Sequence, residues 1–304
     1  MKKILFAIVC LTMMSIQSVK AQLSIVALHH EGNVTLYSGT QLQEALDVAV
    51  EGDTLYLSEG TFPSIDVDNG QVVIGTGEKT IIAGNVTANS KESEKSYNCV
   101  LDGLYVTGNI SISGGMKGML ITQCTFSNLS HTGTTGLTVE CVVARCWAKS
   151  SVDLGFFTGL SILNSKIANI KGYAYNNGGA VLTNCNIGKV TTGYNDFFNT
   201  YINCIIDNFD SESSTKQVSL LYCYVSGNTS KASLQNCYVS QETILDENLH
   251  ASANGYLGND GTEVGITGGD SPYTLTPSSP HVSAHSIEVD AVNQKLNVTL
   301  TIEN

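Results

Sequence analysis

The chain has 304 residues, enough for one large domain or two ordinary ones, and only 14% of them are charged, against roughly 25% in an average soluble domain. Basic residues number 15 and acidic ones 27, for a net charge of −12, and Arg145 is the single arginine. These numbers exclude a charged helical rod or a charge-rich disordered tail, leave no electrostatic footprint for nucleic acid or an anionic membrane, and make the chain a poor phosphate clamp.

Residues 1–21 read as a cleaved secretory signal: Lys2 and Lys3 form a basic start, Ile4 to Met14 an apolar run, and Ala21 is the small residue before Gln22. A lipid anchor at Cys10 is the weaker alternative, because Val9 precedes it where a small residue is needed. No stretch reaches the about 20 apolar residues of a spanning helix, so no transmembrane segment is expected. Loss of Lys2, Lys3 and Lys20 makes the exported product more acidic still.

Ser38 to Ala49 is amphipathic with a Ser/Thr start and predicts a short helix. Strand-like runs follow at 54–57, 72–74, 80–82, 100–101, 104–106 and 110–112, interrupted by a charged excursion at 91–96 that reads as a solvated loop. From there one pattern recurs, apolar-x-Asn-Cys-x-apolar, around Cys124, Cys146, Ser165, Cys185, Cys204, Cys223 and Cys237. Its spacing of about 20 residues is that of a solenoid. The apolar runs are too short for helices, and a unit of this length has no room for a helical crossover. Coiling in parallel, with each repeat lying on the last, is what remains.

Eight cysteines survive removal of the signal: Cys99, Cys124, Cys141, Cys146, Cys185, Cys204, Cys223 and Cys237. An even number in an exported chain also fits disulfides. A reduced ladder of small buried residues is preferred, since Ser165 takes the same place in one repeat. Asn164, Asn184, Asn203 and Asn236 are expected to sit at turns that tolerate left-handed backbone, their amides bonding up and down the stack.

This repeat resembles the right-handed parallel β-helix of the pectate-lyase-like superfamily. The capping helix running into Gly52 to Leu57 and Gly60 to Phe62 is similar to the start of many exported bacterial β-helices, and the Asp260 to Gly269 segment with Pro272, Pro277 and Pro280 to their ending. The resemblance implies an all-β fold over 22–250 with an N-terminal cap, then a Gly/Pro-rich wrap-around segment and terminal β-hairpin over 251–304, with strands at 286–290 and 295–302. It implies export to the periplasm, surface or exterior of a Gram-negative bacterium.

Fold gives no licence for activity. A calcium-dependent lyase needs converging carboxylates beside a base; Arg145 has no such cluster and reads as a turn residue. A hydrolase needs two acids at about 5 to 9.5 Å; Asp153, Asp196, Asp207 and Asp210 are available without a supporting motif. His29, His30, His131, His250, His281 and His285 show no ligand-spaced cluster, so no metal and no cofactor is expected, calcium entering only with the lyase alternative.

One constellation stands out. Asp153, Phe156 and Phe157, then Tyr173, Tyr175, Asn176 and Asn177, then Tyr194, Asn195, Asp196, Phe197 and Phe198 precede successive markers by six to twelve residues. On a coil they stack into one patch, and rings with amide and carboxylate acceptors suit a sugar. The phenylalanines read equally as an inward stack; the tyrosines, with a hydroxyl to keep wet, read as exposed. The expected partner is a polysaccharide or cell-envelope glycan bound without catalysis, with a divergent lyase or hydrolase in the same groove as the alternative. The oligomeric state is open.

Overall fold

The computed structural model describes residues 24–68, 70–89, 98–113, 116, 118–132, 138–155, 157–172, 179–192, 199–210, 218–240, 245–273, 281–290 and 295–303. They are mostly strand with one short α-helix, wound into a parallel β-helix of about seven turns. The signal segment at 1–21 and the charged excursion at 91–96 lie outside the described residues.

Each regular turn supplies a short strand, a tight corner and a longer strand. The short set comprises Leu120–Thr122, Val142–Ala144, Ser161–Leu163, Val181–Thr183, Thr200–Ile202, Val218–Leu221 and Ala232–Gln235. The long set comprises Thr125–Thr132, Trp147–Asp153, Lys166–Gly172, Asn186–Thr192, Ile205–Asp210, Tyr224–Asn228 and Tyr238–Val239. Within each set neighbours pair in parallel.

Parallel register puts like on like. Ile121, Val143, Ile162, Leu182, Tyr201 and Leu220 form one inward column on the short strands, and Phe126, Ala148, Ile167, Ile187, Ile206 and Val225 form another on the long ones. All are buried. Full burial of such a side chain contributes about 1.5–3 kcal/mol, so the apolar columns hold the turns together.

The corners are alike in backbone. Gln123, Arg145, Asn164, Asn184, Asn203, Tyr222 and Asn236 all have φ between +46° and +55°, the left-handed region that asparagine enters more easily than other non-glycine residues. Their N–H groups donate to the next turn: Asn164 to the Thr183 carbonyl, Asn184 to Ile202 and Asn203 to Leu221, each at 3.0 Å.

The residue after each corner is the marker, and it does more than fill space. The Cys204 thiol donates to the Ile202 carbonyl at 3.3 Å, and the Cys204 N–H donates to the Cys223 sulfur at 3.4 Å. Cys223 and Cys237 repeat the N–H to sulfur contact at 3.5 Å. Ser165 has the same wiring with shorter bonds: its hydroxyl donates to Leu163 at 2.8 Å and accepts the Cys146 N–H at 3.1 Å. All eight cysteines of the described chain are free. Burial pushes the Cys146 thiol up to about 12 and Cys99 to about 11.

The expected asparagine ladder is overturned. The Oδ1 atoms of Asn164, Asn184 and Asn203 are buried without a hydrogen-bond partner. The Asn184 amide instead donates to the carbonyls of Ile266 and Gly268, at 2.9 and 2.7 Å. The reason is geometric: corner backbone groups are already bonded turn to turn, and the left-handed corner directs the side chain out of the coil, where the C-terminal strap runs.

That strap fastens along the solenoid's side. Gly265, at φ +94°, donates its N–H to the Tyr222 carbonyl at 2.8 Å. Gly269, at φ +75°, lies so close to the Asn203 amide that a Cβ would collide with it. Ile266 packs with Ile205 and Tyr224 in a second apolar cluster, and Tyr256 lies 4.0 Å from Tyr238, centroid to centroid. Glu263, 8% exposed, accepts from the Ser252 N–H at 2.8 Å and meets His250 Nδ1 at 2.6 Å. Burial pushes this carboxyl up, but the hydrogen bonds from Ser252 and His250 oppose it, and the carboxyl is held at about 2.

The two ends differ. At the N-terminus a 3-10 turn, Gly39–Gln41, leads into the helix Leu42–Val48, which buries Leu42, Ala45 and Leu46. Ile25–His30 pairs antiparallel with Thr54–Leu57 and covers the first strand edge. The paired histidines diverge as strand geometry requires: His29 lies edge-on to Tyr56, and His30 Nδ1 meets Asp53 at 2.8 Å. At the other end Leu234 and Val239, last members of the inward columns, are 43% and 42% exposed. His281–Asp290 and Lys295–Glu303 pair antiparallel, the first starting earlier than the sequence pattern predicts.

Candidate functional site

Of the residues expected to bind sugar, the structure describes Asp153. It ends the strand Trp147–Asp153, lies in register with Lys171, and its Oδ1 accepts the Gly155 N–H at 2.9 Å. Tyr173, Tyr175, Asn176, Asn177, Tyr194, Asn195 and Asp196 lie outside the described residues. The strands that precede them are described: Gly172 is in register with Thr192, and Thr191 with Asp210. The chain therefore leaves successive turns at one edge of the long-strand sheet. It re-enters at Leu160, Ala180, Asn199 and Val218, where the Ala180 N–H donates to Asn199 Oδ1 at 2.9 Å. Phe157 takes the inward reading, buried with its ring 6.1 Å from that of His131; Phe156, Phe197 and Phe198 lie outside the described residues.

The outward face of the same sheet carries a feature not picked out as a site by sequence reading. The position just after each marker forms a column, Thr125, Trp147, Lys166, Asn186, Ile205, Tyr224 and Tyr238, which Tyr105 of the preceding turn extends in register with Thr125. Its lower members are covered by the strap: Ile205 and Tyr224 are buried under Ile266. Trp147, the chain's one tryptophan, stays 40% exposed.

Two lysines surround it. Lys149 Nζ lies 5.0 Å and Lys166 Nζ 5.1 Å from the Trp147 ring centroid, within cation–π range. Lys149 also reaches Tyr105, 4.5 Å from its centroid, and donates to its hydroxyl at 3.1 Å. Arg145 precedes Trp147 by two residues at an exposed corner, its N–H bonded to Leu163 at 3.0 Å. Its backbone role is the turn the sequence suggests.

Compared with family models, with curated proteins and with solved structures, the chain has no match in any of the three.

Among the described residues no group of three or more His, Cys, Asp or Glu side chains is placed to hold a metal ion. No described helix is long and apolar enough to cross a membrane. What the column can do is present an aromatic surface edged by ammonium donors. The signal was legible in the repeat: Trp147 occupies a place that strand alternation puts opposite the inward Ala148, so an outward tryptophan follows once the register is known.

Proposed function

We propose that this is an exported, non-catalytic β-helix protein of pectate-lyase-like type that binds a polysaccharide or cell-envelope glycan along the outer face of its long-strand sheet. The supporting observation is Trp147, 40% exposed on a rigid sheet two rungs from Tyr105. Aromatic side chains combine a large apolar face with little conformational entropy to lose, and a sugar's C–H face is what such a platform covers. Parallel strands about 4.8 Å apart fix the platform's geometry in advance, which lowers the ordering cost of binding.

The test is titration against a panel of polysaccharides with and without calcium. Wild-type protein is expected to bind at least one polymer without releasing reducing ends or unsaturated product. Trp147→Ala should weaken that binding about tenfold or more, equivalent to about 1.4 kcal/mol, with an unchanged circular dichroism spectrum. Product release would overturn the non-catalytic reading, and unaltered affinity in Trp147→Ala would remove the platform.

A further inference from the structure

We infer that the outer face of the short-strand sheet is a self-association surface, on which a second copy of this chain docks face to face across a two-fold axis. It belongs to a different sheet from the one that carries Trp147 and stands independently of the glycan reading. The short strands do not stop at Leu120–Thr122: in register they continue through Val100, Val72 and Thr54. Beyond Thr54–Leu57 the sheet goes on antiparallel through Ile25–His30 to Asn33–Ser38. Its outward positions follow from strand alternation, flanking the buried Leu55, Val73, Leu101 and Ile121. Among these described positions, from Val34 and Leu36 at one end to Ser233 and Gln235 at the other, Asp102 is the only carboxylate or ammonium, and burial pushes its carboxyl up, toward the neutral form. The molecule carries 27 acidic and 15 basic residues, so a face this long with a single charge departs from the rest of its surface.

Exposed apolar side chains gather on it. Val34, Leu36 and Tyr56 are exposed at its N-terminal end, Leu36 to 68%, and Leu163 and Val181 near its middle. Depletion of charge together with exposed aliphatic and aromatic groups marks the core of an interface. A charged partner finds almost nothing to pair with there. A second copy brings a face of the same length and the same lack of charge, and two sheets pack face to face about 10 Å apart with their side chains interdigitated. The size suffices: about twelve strands at about 4.8 Å, each covering about 10 Å of the face, give about 550 Å² per copy and about 1,100 Å² for the pair, above the about 1,000 Å² of a specific interface. An isologous pairing closes on itself and leaves the sheet that bears Trp147 uncovered.

Sedimentation equilibrium of wild-type protein over about 1 to 100 μM is expected to show a reversible monomer–dimer equilibrium. Two negative charges near the centre of the face, in Leu163→Asp/Val181→Asp, should weaken dimerisation at least about tenfold. Thr61→Asp/Ser150→Asp puts the same two charges at exposed positions on other strands and should change it by less than about threefold. Raising salt from about 50 to about 500 mM should tighten the dimer, because it screens repulsion between two acidic copies and breaks no ion pair at the face. Thermal melts and circular dichroism keep loss of fold apart from loss of association; if the face variant melts early, Leu36→Glu, at the most exposed apolar position of the face, probes the same surface. Protein that stays monomeric throughout this range would overturn the proposal. So would a dimer indifferent to acidic substitutions on the face. Either result leaves the Trp147 glycan reading, which polysaccharide titration tests, as it stands.

Discussion

Ser165 shows why the repeat tolerates one hydroxyl in a column of thiols. The side chain must be small, must donate to the carbonyl two residues back, and must accept an N–H from the neighbouring turn. Cysteine does all three weakly and serine does them better. Ser165→Cys is therefore expected to shift stability by less than about 1 kcal/mol, whereas Ser165→Ala, which orphans the buried Cys146 N–H, should cost about 1–3 kcal/mol; comparison of thermal melts checks both. The corner one residue earlier is governed by backbone instead. Arg145 sits at φ +55°, where asparagine is the better occupant, so Arg145→Asn should raise the melting temperature by the equivalent of a few tenths to about 1 kcal/mol. The repeat spelled out these corners, because a left-handed residue leaves a compositional trace. It did not spell out the hydrogen bonding of the markers, which depends on which atom of the next turn comes within reach.

At the level of elements, the strap behaves as a separate piece held by few groups. Asn184 donates two bonds to it from beneath, and Asn184→Ala should loosen it at a cost of about 1–3 kcal/mol, seen as faster hydrogen exchange over 256–269 while the turns keep their protection. Glu263 makes the same piece sensitive to acid. Its carboxyl is held at about 2 against an ordinary 4.5, a depressed value. The stabilisation is therefore fully present above about pH 4.5 and is lost as pH falls toward 2, amounting to about 2–3 kcal/mol at most. Glu263→Gln should flatten that part of the pH-stability curve; an unchanged acid transition would show that the carboxylate does not fasten the strap. Glycines and prolines made this segment visible in the sequence as a change of text. Its destination was not visible, since contacts between Asn184 and Gly268 span a separation that no local pattern encodes.

For the molecule as a whole, repetition carried the fold and hid the site. The twenty-residue period and the corner asparagines were enough to place the inward columns, because parallel register converts matching text into touching side chains. The outward column does not repeat as the inward ones do, with one tryptophan where other turns have threonine, lysine, asparagine, isoleucine or tyrosine, and a reading tuned to recurrence passes over it. Since every thiol in the stack is buried or nearly so and burial raises those of Cys141 and Cys146 to about 12, folded protein should react slowly with thiol reagents at pH 8, while denatured protein should yield all eight cysteines from Cys99 to Cys237 as free thiols. A denatured count near zero would mean oxidation has replaced the ladder. The exposed final rung at Leu234 and Val239 carries a different consequence. A barrel fixes its circumference when the last strand meets the first, but among the described residues the strands of the last turn pair only with the turn before them, so the span of the sheet face is an adjustable length. Duplicating or losing one unit of about 20 residues would stretch or shorten that span in steps of about 4.8 Å, leaving the pattern of every other rung as it was.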